Sequence, residues 1–288
     1  MKKTLLIFIS IITLFLSCER VVNIDLNEVT PAIVVEGRVY EDSLAWVEIR
    51  QTGSYFNPDT QICICNAIVT IKEDDSIPDT LLYLGNGLYK SSLLRGKTGS
   101  NYYLKVEYEN KVYEAQSHLS ERPLIYSLIP ASFGDFGGFG DSSGIDFGGG
   151  SGGLIDSLPY FLFINLYDDQ SVDNYYIFDY FVNGEPRTGS YIVGNDGNTD
   201  NDTLSFSPGP VALFYLGDTV KVRANAIDRP VYNYFDQLGD AISSNSFFSS
   251  TPYNPESNIS NGALGYFAAL SFDSKTTIIM PVLPSFPK

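Results

Sequence analysis

The sequence predicts an all-β protein of two β-sandwich-like domains, the second carrying one short helix, joined near a glycine-rich segment. Three observations predict it. Apolar residues recur at alternate positions in short runs, the period of a strand with one buried and one wet face. Aromatics make up 14% of the 288 residues, nearly all of them Tyr (20) and Phe (19), residue types that favour strands. The runs are separated by compact turn chemistry, and only one stretch has a helical period.

From Pro31 the elements follow in order. Ile33, Val35 and Val39 share one face, with Gly37 read as a bulge. Ala45, Val47 and Ile49 alternate with Trp46, Glu48 and Arg50. Ala67, Val69 and Ile71 alternate with Ile68, Thr70 and Lys72, and Tyr102, Leu104, Val106 and Tyr108 with Tyr103, Lys105 and Glu107. Asn57-Pro58-Asp59, Asp74-Asp75, Gly85-Asn86-Gly87 and Glu109-Asn110-Lys111 supply the turns. This defines an N-terminal sandwich over residues 31–122.

Residues 123–157 read as a Gly/Phe-rich linker or flap. Phe133 to Gly153 is about half glycine, with Phe133, Phe136, Phe139 and Phe147 spaced through it. Glycine at that density carries a large ordering entropy. A C-terminal β domain then covers 158–288. Tyr160–Leu166 and Tyr175–Val182 are strands, and Asn183-Gly184 is a type I′ hairpin signal leading into Thr188–Val193. Val211–Leu216 and Val220–Ala224 form a hairpin around Gly217-Asp218. Val231, Tyr234, Phe235 and Leu238 follow the i, i+3, i+4, i+7 pattern of a helix, with Asp228 as cap, Pro230 near the start and Gly239 near the end. Leu264–Phe272 and Thr276–Met280 close the domain as strands.

Ahead of these domains, Lys2 and Lys3 precede an apolar run from Leu5 to Leu16, and Ser17 stands before Cys18. The run is short for a membrane span and has the flanks of an export signal. Residues 1–17 therefore read as a lipoprotein signal peptide, Cys18 as the lipidated first residue of the mature chain, and residues 18–30 as a tether. Two or three acyl chains, at roughly 0.8 kcal/mol per buried methylene, hold a protein on a membrane nearly permanently. The expected location is the cell envelope, with lipid anchoring to the outer membrane; either face of that membrane is compatible with it.

The formal net charge is −16. It argues against nucleic acid, which needs a basic footprint, and against adsorption to anionic lipid by charge. Of three cysteines, Cys18 takes lipid, leaving Cys63 and Cys65 as a disulfide candidate in an oxidising compartment. Such near neighbours need a bend to be bridged.

No catalytic set is legible, and the expectation is that the protein is not an enzyme. His118 is the single histidine, and Asp74-Asp75 and Asp168-Asp169 are adjacent acids on turns, usually solvated. The sequence has no nucleophile elbow, HExxH or Walker loop. Asp196, Asn198, Asp200 and Asp202 fall at alternate positions, a spacing that resembles the first half of a Ca²⁺ loop. Asn201 replaces the loop's glycine and Ser207 its terminal glutamate, and an acidic hairpin tip explains the same letters. No other cofactor is implied.

Several stretches, in their order along the chain, resemble one group. They are Cys18-Glu19, Ile33-Val34-Val35-Glu36-Gly37, Ala67 to Ile71, Gly87-Leu88-Tyr89, Gly99 to Tyr108, Asn174-Tyr175-Tyr176 and Ser257 to Phe267. The group is a family of Bacteroidota lipoproteins of unknown function (domain of unknown function 4249), found beside TonB-dependent outer-membrane transporters. The Cys63-x-Cys65 pair and the Gly/Phe insert depart from it. The resemblance implies an immunoglobulin- or transthyretin-like first domain and a non-catalytic role accessory to a transporter barrel in ligand capture or uptake. It implies no catalytic residues. A structural or adhesive envelope spacer and a carboxylate-dependent hydrolase are the other classes the sequence admits.

Overall fold

The computed structural model describes residues 31–53, 62–132, 159–187, 191–197, 202–207, 212–243 and 253–280. Among these the chain is all-β with one helix. The strands of the first half are β1 (Ile33–Tyr40), β2 (Leu44–Gln51), β3 (Ile62–Cys63), β4 (Ile68–Glu73), β5 (Asp79–Thr80), β6 (Leu82–Gly85), β7 (Leu88–Arg95), β8 (Asn101–Tyr108) and β9 (Lys111–His118). Those of the second are β10 (Leu124–Ser132), β11 (Tyr160–Tyr167), β12 (Tyr175–Val182), β13 (Glu185–Pro186), β14 (Ile192–Asn195), β15 (Thr203–Phe206), β16 (Thr219–Ile227) and β17 (Leu264–Ile278). Helix α1 spans Arg229–Ser243.

One ten-stranded sheet is the spine of the molecule, in the order β13-β12-β16-β17-β1-β2-β7-β6, with β14 added on β12 and β3 on β2. Two smaller sheets, β5-β4-β8-β9 and β10-β11-β15, complete the layers. Alternation explains the packing. Ile33, Val35 and Val39 of β1 and Ala45, Val47 and Ile49 of β2 share a core with Val69, Ile71, Tyr102, Leu104 and Val106 from the first small sheet. Tyr176, Phe178 and Tyr180 of β12 and Val220, Val222 and Ala224 of β16 share a second core with Tyr160, Leu162, Ile164 and Leu166 of β11. Helix α1 packs on the opposite face of the spine, where Val231, Tyr234 and Phe235 meet Ile177, Ile227, Tyr266, Ala268 and Leu270. The Asp228 carboxylate accepts from Val231 N at 3.1 Å, the cap read from the sequence.

Four sequence expectations are corrected. The division into an N-terminal sandwich at 31–122 and a C-terminal domain at 158–288 does not follow the sheets. β17 pairs in parallel with β1 and antiparallel with β16, so the last described strand joins both halves into one sheet. Residues 124–132 are β10 rather than linker, and Ser132 pairs with Tyr160. Ser132 and Tyr160 flank the Gly/Phe-rich segment, which itself lies outside the described residues.

The other two are local. Gly37 is no bulge. It lies in regular pairing opposite Val47 and Phe267, and an added Cβ would come within 2.8 Å of the Phe267 ring. The two closing strands are one fifteen-residue strand, and Phe214 makes only an isolated bridge to Tyr160 where a strand was expected at 211–216. The helix is as read, with Gly239 near its end at Ser243. The type I′ turn is as read, with φ of 54° at Asn183 and 91° at Gly184.

Candidate functional site

The strict alternation of β8 sends Tyr102, Leu104 and Val106 into the core and leaves Tyr103 and Lys105 on the outer face. Thr70 and Lys72 of β4 and Glu114 and Gln116 of β9 stand on the same face. Together they floor an open groove of about 670 Å³, walled by the segment Ser257–Ser260. That volume is in the range of small-ligand sites.

The wall is fixed by backbone and side-chain bonds. Ser260 N donates to Glu114 O at 2.8 Å, and Glu114 N donates to Ser260 Oγ at 2.8 Å. The Asn258 side chain bonds both the N–H and the carbonyl of Phe267, at 2.9 and 2.8 Å, and Ser257 Oγ donates to Gly265 O at 2.7 Å. The loop thus covers the edge of β9 and ties it to β17. On the floor, Lys72 Nζ rides 4.7 Å from the centre of the Tyr103 ring, and Lys105 pairs with Glu107. The Glu107 carboxylate raises the Lys105 pKa through a hydrogen bond and by its charge. Hydroxyl, amide, ammonium and carboxylate groups around one aromatic ring suit a polar ligand held by hydrogen bonds and ring contact. The sequence signal for this site was present in the outward letters of β8 and in the hydroxyl- and amide-rich run SNISN, but nothing local says that the two meet.

The acids singled out from the sequence lie elsewhere. Asp168, Asp169, Asp196 and Asp202 gather where β11 and β12 meet the loops beyond them. Asp168 N donates to Asp202 O at 3.0 Å, and Asn174 N donates to an Asp196 carboxylate oxygen at 2.8 Å. Burial, together with the charges of Asp196 and Asp169, pushes Asp168 up. Asp169 is held low by the hydroxyl and N–H of Ser171. Asp202 accepts from Gln170 Nε2 at 2.9 Å. Asn198 and Asp200 of the candidate Ca²⁺ loop lie outside the described residues. Among the described residues no group of three or more His, Cys, Asp or Glu is arranged to hold a metal.

His118 ends β9 with its Nδ1 3.0 Å from Asn101 Oδ1. Asp74 accepts from both the backbone and the side-chain amide of Asn101, which hold it below the usual carboxylate range. Cys63 and Cys65 are exposed free thiols on either side of the buried Ile64. Between them Ile64 N donates to Ile49 O at 3.1 Å, and no bond joins the two sulfurs. Cys18 lies outside the described residues.

The outer face of the spine carries a second pattern that the sequence did not suggest. Arg38 lies 5.6 Å from the centre of the Trp46 ring and 5.4 Å from that of Tyr266, and its Nε donates to Tyr266 Oη at 2.8 Å. Arg223 sits over Phe181 and Phe272, at 5.2 and 4.7 Å. Stacked cations of this kind stabilise a half-buried sheet face.

These features define a class: an all-β protein whose layered sheets share one spine, with one helix and a polar surface groove. A family model described as a domain of unknown function (DUF4249) matches residues 19–276, and the chain belongs to that family. None of the curated proteins compared with the chain matches it.

Proposed function

We propose that the protein is a non-catalytic lipoprotein of the cell envelope, anchored to the outer membrane through Cys18, that assists a TonB-dependent transporter barrel in capturing a ligand. The groove over β4, β8 and β9 carries this reading. It offers hydrogen-bonding groups from three strands and a braced loop around Tyr103. The export signal ending at Cys18 and membership of the family are consistent with it.

The test is purification of the tagged full-length protein from its native envelope in mild detergent, with mass spectrometry of what accompanies it. Enrichment of a TonB-dependent barrel is expected. A Tyr103→Ala, Lys105→Glu variant, which touches only the groove floor, is expected to keep the barrel and lose ligand-dependent uptake. Recovery of the protein with no barrel would overturn the assignment. So would wild-type uptake by the groove variant.

A further inference from the structure

The end of the molecule at which the tether enters is apolar. β1 starts at Ile33, two residues after Pro31. At the same end lie the close of β2, paired to Ile62 and Cys63 of β3, and the start of β17, with Val34 opposite Leu264. From β3 the chain crosses to the facing sheet through Ile64–Ala67. That crossing is pinned by the Tyr89 hydroxyl, which donates to Ile64 O at 3.0 Å and accepts from Ala67 N at 3.1 Å. Beside it the β6–β7 turn brings Gly87 against Ile49 and Cys63, and Tyr83 packs on Tyr89 with ring centres 5.2 Å apart. Around this crossing Ile62 is 50% exposed, Ile68 56%, Tyr83 42% and Leu84 59%. The neighbouring turn carries one acid and one base, Glu109 and Lys111, and nearby Glu48 is paired with Arg50 and Glu107 with Lys105.

We propose that this end, with Ile62, Ile68, Tyr83 and Leu84 as its contact residues, docks on the lipid surface to which the chain is anchored. The inference rests on the reading that Cys18 carries the lipid. Twelve residues, 19–30, separate Cys18 from Pro31, and however they run they span at most about 40 Å. The entry point of β1 therefore stays within about 40 Å of the bilayer, which keeps the apolar end within reach of it. Branched aliphatic and tyrosine side chains without a dominant charge suit the headgroup–acyl boundary, where Tyr is enriched. An overall charge of −16 excludes adhesion by attraction to anionic lipid, so the contact has to be apolar. Docking fixes the height and orientation of the groove above the membrane, which a tether alone does not.

Cys63 and Cys65 are exposed thiols within this end and serve as reporters. The acylated full-length protein, labelled there with an environment-sensitive thiol fluorophore, is reconstituted into phosphatidylethanolamine–phosphatidylglycerol vesicles containing brominated acyl chains. Quenching of the label is expected to be several-fold stronger than for the same fluorophore on a Cys63→Ser, Cys65→Ser, Ser43→Cys variant. Ser43 lies in the β1–β2 turn, about 26 Å away by the length of an eight-residue strand. In an Ile62→Glu, Leu84→Glu variant the difference is expected to vanish while the protein still floats with the vesicles. Equal quenching at both sites, or none at either, in protein that floats would overturn the docking and leave the acyl anchor standing. Quenching that follows protein concentration and ignores the brominated lipid would make a second copy the occupant and overturn it as well. Protein that does not float with vesicles would overturn the anchor and the docking together.

Discussion

Tyr180 stands in the second core with its ring centre 5.9 Å from that of Phe214, and its hydroxyl is buried without a partner among the described residues. Burial pushes the phenol well above its ordinary range. A buried hydroxyl that makes no bond costs about 1 kcal/mol or more. Tyr180→Phe is therefore expected to raise Tm by about 2–4 °C in a thermal melt; a lower Tm would reveal a partner for the hydroxyl. Asp228 is the opposite case. It caps α1 through Val231 N and also accepts from His118 N at 3.1 Å, so one carboxylate ties the helix start to the end of β9. Asp228→Ala should cost about 1–2 kcal/mol in chemical denaturation. Burial raises this carboxyl above its unfolded value despite those bonds. The folded state then binds the proton more tightly than the unfolded chain. The contribution is fully present below the unfolded pKa and is lost as pH rises through the folded one. Asp228→Asn keeps the acceptor and removes the charge. It should abolish that fall in stability across the acid range, and denaturation midpoints measured at a series of pH values would show whether it does.

At the scale of elements, the parallel ladder between β1 and β17 depends on a glycine. Gly265 has φ of +94°, and a Cβ there would stand 2.1 Å from Val35 O. The strand can lie beside β1 only because that atom is missing. Gly265→Ala is expected to destabilise by about 3 kcal/mol, since strained backbone and a backbone clash act at one position. A shift in the denaturant midpoint measures it, and a variant as stable as wild type would mean the ladder re-registers without cost. Helix α1 shows the converse, an element whose existence and cap were legible because both are local.

For the whole molecule, β17 joins the two halves through one sheet. β17 supplies Phe267 and Ala269 to the first core, and Ile259 and Ala263 just before it supply more. Its other edge pairs with β16 over eight residues, from Thr219↔Ile278 to Ala226↔Ser271. A fragment of residues 19–122 would expose the β17-facing edge of β1 and leave part of its core unfilled. It is expected to be unfolded or aggregated by circular dichroism and amide exchange, whereas the chain from residue 19 to its end is expected to melt in one transition. A fragment that folds cooperatively alone would show that the N-terminal sandwich is independent after all.

How much was legible follows the range of the forces involved. Residue alternation is a local record of which face meets the core, so the paired faces of β1, β2, β4 and β8 could be read directly, as could the Asn183-Gly184 turn. The sequence by itself determined an all-β chain with one capped helix and an acidic surface. Tertiary structure decided the rest. Strand partners are chosen between residues more than two hundred positions apart, as in β1 with β17, and no local period encodes that choice. The groove exists for the same reason: the outward side chains of β8 and the SNISN run share a site only once the chain has brought β17 back beside β1.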